Sequence, residues 1–116
     1  MQRNLLIMAD LKHKRFYEAH RAARIQQTKE AKRKRQIAVL KYLDAHPCVD
    51  CGERDVRCLE FDHVRGEKER EISRAILYGW SIPRIMVEIS KCEVRCANCH
   101  KKKTSKDFNW FKAHRG

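Results

Sequence analysis

Two cysteine pairs, each followed by a histidine, hold the residues best suited to chemistry in this chain. Cys48-Val-Asp-Cys51 comes first, and Leu59-Glu-Phe-Asp62-His63 begins eight residues later. Cys96-Ala-Asn-Cys99-His100 comes second. Four thiolates are the number a tetrahedral structural zinc requires, and a two-residue spacer lets both sulfurs of a pair reach one ion from a tight turn. Cys48, Cys51, Cys96 and Cys99 are therefore read as one structural Zn2+ site, although the 44 residues between Cys51 and Cys96 make it less compact than a zinc ribbon. Asp62, His63 and His100 stay outside that shell. An isolated Asp-His dipeptide is more often a surface pair. Here a zinc joining both knuckles is expected to bring His100 towards Asp62, so that carboxylate and imidazole hold a second divalent cation. His63 is then left free to act as a base. Such a set suits metal-assisted phosphodiester hydrolysis, with a cation meeting charge on the phosphate and His63 activating a water.

These residues must be positioned by a small module. The stretch from Pro47 to Thr104 is 58 residues of a 116-residue chain. Modules of that size rarely hold together by apolar burial alone and usually need a staple. Six cysteines could instead form three disulfides in an oxidising compartment. The four-residue apolar run near the start is too short for a secretory h-region, and no run approaches a membrane span. A reduced, cytoplasmic protein with metal-binding cysteines is expected, with no membrane partner. Cys58 and Cys92, outside both pairs, are expected as buried small hydrophobes.

Charge is segregated. The net charge is +12, with +8 over residues 1–46, −1 over residues 47–100 and +5 over residues 101–116. Basic flanks around a neutral middle fit a polyanion, with the flanks on phosphates and the middle doing chemistry. Lys29, Lys32, Arg33, Lys34 and Arg35 on one side, and Lys101, Lys102 and Lys103 on the other, are the candidate nucleic-acid contacts. The plainer alternative is two solvated helical surfaces.

Residues 9–45 lack Gly and Pro and have helix composition. No large apolar residue occurs from Gln26 to Gln36, so that section is expected to be exposed. Ile37, Leu40 and Leu43, with Val39 and Tyr42, are expected to dock on the zinc module, and His46-Pro47 to end the helix. A knuckle with Gly52 at positive φ, a strand near Arg57–Val64 and a turn at Arg65-Gly66 should follow. Next come a helix over Glu67–Tyr78 stopped by Gly79, and a second helix capped by Ser81 that ends near Lys91. Ile82, Ile85, Met86 and Ile89 line one face of that second helix. A last short helix near Asp107–Ala113 carries Phe108, Trp110 and Phe111, expected to pack the tail down.

Leu59-Glu-Phe-Asp-His-Val64 and Cys92-Glu-Val-Arg-Cys-Ala-Asn-Cys-His100 together resemble the HNH endonucleases, especially the small four-cysteine members of phage and bacterial genomes. The resemblance covers His46 to Thr104, about half of the chain. It implies an α+β fold, a zinc-stapled ββα-metal module with a long basic N-terminal helix and helical insertions. The domains expected are a basic helical extension over 1–46, the nuclease module over 47–104 and an aromatic, basic tail over 105–116. It also implies His63 as general base, Asp62 and His100 as ligands of a catalytic Mg2+ or Mn2+, and the cysteine quartet as zinc ligands. Two positions depart from the family: its middle asparagine falls on Lys91, and the third ligand of some members falls on Thr104.

The function expected is a metal-dependent DNA endonuclease, most simply on double-stranded DNA, whose phosphate clamping lends affinity without sequence preference. A homodimer would turn nicks into double-strand breaks, and a larger nuclease or packaging enzyme is the other partner expected. Phage origin would place it in the host cell. Two further readings stand beside it: a non-catalytic zinc module that binds nucleic acid, and an accessory protein whose N-terminal helix docks on a larger nuclease.

Overall fold

The computed structural model describes residues 2–109. Helix α1 (Gln2–Ala45) is followed by a 3-10 turn (Val56–Cys58), strand β1 (Leu59–His63), helices α2 (Ile72–Leu77) and α3 (Ile82–Ile89), strand β2 (Cys92–Cys96) and helix α4 (Ala97–Asp107). The chain divides into two compact units, Met1–Lys34 and Arg35–Gly116. Among the described residues no helix is long and apolar enough to cross a membrane.

The first unit is helical throughout its described length, and from Leu11 onward nearly every side chain is exposed, including Phe16, Tyr17 and Ile25. In the second unit the last turns of α1 join a core of Val39, Leu43, Leu59, Ile72, Ala75, Trp80, Ile85, Ile89 and Val94. Val39 and Leu43, four apart, are buried, whereas Ile37 and Leu40 are exposed. Intervals of three drift backwards by about 60° per step on a 3.6-residue helix, so only Leu43 of the 37/40/43 series reaches the core. The stacked rings of Tyr42 and His46 finish the helix, and the Tyr42 ring lies 6.0 Å from that of Phe61.

The two strands pair antiparallel, with Leu59 opposite Cys96, Phe61 opposite Val94 and His63 opposite Cys92. Side chains alternate across a strand, so this register separates the sheet into two chemically distinct faces. Leu59, Phe61, His63, Cys92, Val94 and Cys96 share the core face. Glu60, Asp62, Glu93 and Arg95 share the other, which is polar.

The connection between the strands departs from the sequence expectation. Residues 67–71 are not helical, and α2 spans only Ile72–Leu77. Their main chain is engaged elsewhere: the Glu69 N–H donates to Glu88 Oε1 at 3.0 Å, and Lys91 Nζ donates to the Glu67 carbonyl at 2.7 Å. Gly79, at φ 81°, ends this segment, and the Ser81 hydroxyl caps α3 by accepting from the Arg84 N–H. Helix α3 stops at Ile89 rather than Lys91, with Ile85 and Ile89 buried. Cys92 is buried as expected, but Cys58 is exposed at the surface of the 3-10 turn. Helix α4 starts inside the second knuckle and runs to Asp107, with Phe108 as its exposed C-cap. Trp110, Phe111 and Ala113 lie outside the described residues.

Candidate metal centre

The knuckle at Cys48 is a tight turn built by main-chain bonds. Gly52 N–H donates to the Cys48 carbonyl and Cys48 N–H to the Glu53 carbonyl, both at 2.9 Å, with Gly52 at φ 80°. Val49 N–H donates to the Val94 carbonyl at 2.9 Å, which ties this knuckle to β2. The second knuckle is the strand-to-helix junction itself, where Cys96 Sγ accepts from the Cys99 N–H at 3.4 Å as the cap of α4. The outcome is that the sulfurs of Cys48, Cys51, Cys96 and Cys99 all lie within 4.8 Å of one another. Cys51 and Cys96 sulfurs are 3.6 Å apart. A tetrahedral zinc with Zn–S of about 2.3 Å needs sulfurs roughly 3.8 Å apart, so the quartet is dimensioned for a structural metal such as zinc.

Proton affinities in the quartet are divided. Burial works to raise the Cys48 thiol, but main-chain N–H groups of Cys96, Cys51 and Asp50 outweigh it and bring it down to about 6. The Cys96 sulfur, followed by burial, pushes Cys99 up to about 12. The Glu53 N–H lowers Cys51, yet the neighbouring sulfurs of Cys48 and Cys96 raise it overall. One thiolate therefore discourages the next, and an incoming cation must displace the remaining protons. All six cysteines are free thiols.

The polar face of the sheet carries the second set. Arg95, 7% exposed, lies at its centre: Nη1 donates to Asp62 Oδ2 at 2.7 Å, Nε to Asp50 Oδ2 at 2.8 Å and Nη2 to Glu93 Oε2 at 3.0 Å. Asp50 belongs to the first cysteine knuckle, so one guanidinium links that knuckle to Asp62. Helix α4 lies over this face. His100 Nδ1 is 2.7 Å from Glu60 Oε2. A carboxylate only accepts, so Nδ1 carries the proton, and in the neutral ring Nε2 keeps its lone pair. That Nε2 lies 3.6 Å from Asp62 Oδ1. One turn further along α4, Lys103 Nζ lies 3.2 Å from Asp62 Oδ2 and 3.4 Å from Asp107 Oδ2. Lys101 and Lys102 are exposed.

His63 faces the other way. Its side chain is 11% exposed, and Nε2 lies 3.3 Å from Glu88 Oε1 on α3 without the angle of a hydrogen bond. Glu88 is itself 2% exposed. Burial would raise its carboxyl, but the Lys91 ammonium at 2.8 Å and the N–H groups of Glu69 and Arg70 hold it down to about 2. Lys91, at the position of the expected asparagine, also fastens the loop after β1, because its carbonyl accepts from Val64 N–H at 2.9 Å and Arg65 N–H at 3.1 Å.

The structure thus brings Asp62 and His100 together, with the cysteine quartet alongside, and leaves His63 on the opposite face of β1. In the first unit, Lys29, Arg33 and Lys34 are exposed and Lys32 is half-buried. Arg35 is engaged within the second unit, donating from Nε to the Ile76 carbonyl at 3.0 Å. Sequence reasoning missed Glu60, Glu88, Arg95 and the pairing of Lys103. Strand alternation was the available signal for Glu60, which shares a face with Asp62. Among the described residues, one other group of candidate ligands converges, Glu53 with Asp55 and Cys58. Comparison with family models, curated proteins and solved structures finds no match for this chain.

Proposed function

We propose that this chain is a metal-dependent DNA endonuclease of the HNH type, hydrolysing phosphodiester bonds. One observation carries the reading: Glu60 holds the His100 Nδ1 proton, so that the opposite ring nitrogen faces Asp62 across 3.6 Å. A carboxylate behind a histidine, setting the tautomer that exposes a lone pair, is the arrangement that recurs behind metal-ligating imidazoles. Two donors each about 2.1 Å from one ion can lie up to about 4.2 Å apart, so the pair fits a divalent cation such as Mg2+ or Mn2+. Bound there, the cation would supply Lewis-acid neutralisation of charge on the phosphate. Asp62 and His100 would hold it, while Lys101 and Lys102 beside His100 meet backbone phosphates. The basic first unit, through Lys29, Lys32, Arg33 and Lys34, adds further phosphate contacts on double-stranded DNA. His63, which the HNH resemblance marks as the base that takes a proton from the attacking water, lies on the opposite face of β1 with its ring towards Glu88. This step therefore requires the ring to turn out of that contact to the Asp62 side, while Lys91 fastens the loop that follows His63. The cysteine quartet, loaded with zinc, staples both knuckles around this face.

The second reading is a non-catalytic zinc-stabilised nucleic-acid-binding module, or an accessory of a larger nuclease. Its supporting observation is that Arg95 and Lys103 already neutralise Asp62, while His63 turns towards Glu88. Supercoiled plasmid, zinc-loaded protein and added Mg2+ or Mn2+ separate the two. Nicking by the wild type and not by folded His63→Ala supports the nuclease. Retained DNA binding with no nicking would select the binding module, and equal nicking by both proteins would remove His63 as base.

A further inference from the structure

We infer that Lys103 is an exchangeable internal counter-cation of the Asp62–His100 site, which a divalent cation must displace and which then moves to Asp107. The inference rests on the reading of Asp62 and His100 as a cation site. Asp62 is only 8% exposed and faces two positive side chains, but they are held very differently. Arg95 is itself buried and bound by Asp50 and Glu93 as well as Asp62, so its guanidinium is fixed by three carboxylates. Lys103 is bound to Asp62 at 3.2 Å through a flexible stem whose side chain is 37% exposed. A second acceptor is already within reach, because Asp107 Oδ2 lies 3.4 Å from the same nitrogen one turn along α4.

The spacing explains why this lysine has two acceptors. His100 and Lys103 are three apart on α4 and share the face towards Asp62, while Lys103 and Asp107 are four apart and neighbours on the helix surface. Asp107 is 54% exposed against 11% for the Asp62 side chain, so the ammonium at Asp107 is largely solvated. A divalent cation entering beside Asp62 repels the ammonium, and the ammonium needs only a rotamer change to keep a carboxylate partner. The fraction of protein with Lys103 off Asp62 scales the apparent cation affinity.

The test is Mn2+ binding to the full chain, its cysteine site loaded with zinc, read from loss of the free-Mn2+ electron paramagnetic resonance signal. Lys103→Met should tighten Mn2+ binding about two- to fivefold, as expected for removing one partly exposed ion-pair competitor. Asp107→Asn, which takes away the alternative acceptor, should weaken it by about twofold or more. Asp62→Asn should abolish it in the wild-type and Lys103→Met backgrounds alike. If Asp62→Asn abolishes binding but Lys103→Met binds no more tightly than wild type, the exchange is refuted and the cation site stands. If no variant binds Mn2+, or if binding survives Asp62→Asn, both the exchange and the cation site are refuted.

Discussion

Withdrawing the ion from the zinc-loaded cysteine site should unfold the second unit while the chain stays reduced. The unit has one core, made largely of Val39, Leu43, Leu59, Ile72, Trp80, Ile85, Ile89 and Val94. A single core in a module of about 70–80 residues rarely supplies more than about 3–5 kcal/mol. A structural zinc contributes about 10–16 kcal/mol at pH 7. Two other ties between the first knuckle and β2, the Val49–Val94 main-chain bond and the Asp50–Arg95 ion pair, contribute about 1 kcal/mol each and do not replace the ion. Losing on the order of 10 kcal/mol from such a unit exceeds what the core holds in reserve. The assay is amide hydrogen exchange at β1 and β2 before and after chelation, beside a thiol count. In the loaded protein the exposed Cys58 should react at once and the buried Cys92 slowly; after chelation all six should react quickly. Persistent protection of the β2 amides with the quartet reactive would refute the staple argument, because the apolar core would then hold the sheet alone.

Arg95→Met should cost about 3–5 kcal/mol in urea unfolding of the loaded protein, since it leaves buried Asp62 without its strongest partner. Arg95→Lys should restore only part of this, because an ammonium cannot reach three carboxylates in a fork. Glu88 carries a pH signature of known sign. Its carboxyl is depressed from 4.5 to about 2, so the stability it contributes is complete above about 4.5 and is lost as pH falls towards 2. The stability difference between wild type and Glu88→Gln should therefore be flat from pH 7 to about 5 and shrink below that, in paired denaturant titrations. Ser81→Ala should lower stability by about 1 kcal/mol through loss of the α3 cap, measured by thermal unfolding of both proteins.

What the sequence by itself determined is local. The end of α1 before Pro47, the positive φ at Gly52, Gly66 and Gly79, and the Ser81 cap all follow from interactions within about four residues. So does each cysteine knuckle taken alone, because a two-residue spacer sets how two sulfurs can point. Local reasoning failed where distant groups compete for the same backbone. Residues 67–71 have helix composition, but Lys91, 24 residues on, takes the Glu67 carbonyl that a helix would have used, and Glu88 holds the Glu69 N–H in the non-helical course. Strand alternation alone separates Glu60 and Asp62 from Phe61 and His63, but which residues of β2 join each face needed the register. That register sets Glu93 and Arg95 beside Asp62 on the polar face, while His63 on the core face meets a buried carboxylate from α3. The pairings that define the polar face join residues 33 to 45 apart, Arg95 with Asp62 and Asp50 and His100 with Glu60, and no periodicity in the chain announces them. The Arg95 pairs exist because β2 lies beside β1 and the first knuckle, and the His100–Glu60 pair because α4 leaves β2 at the second knuckle and lies over the sheet; only the tertiary structure decides which side chains these elements bring together.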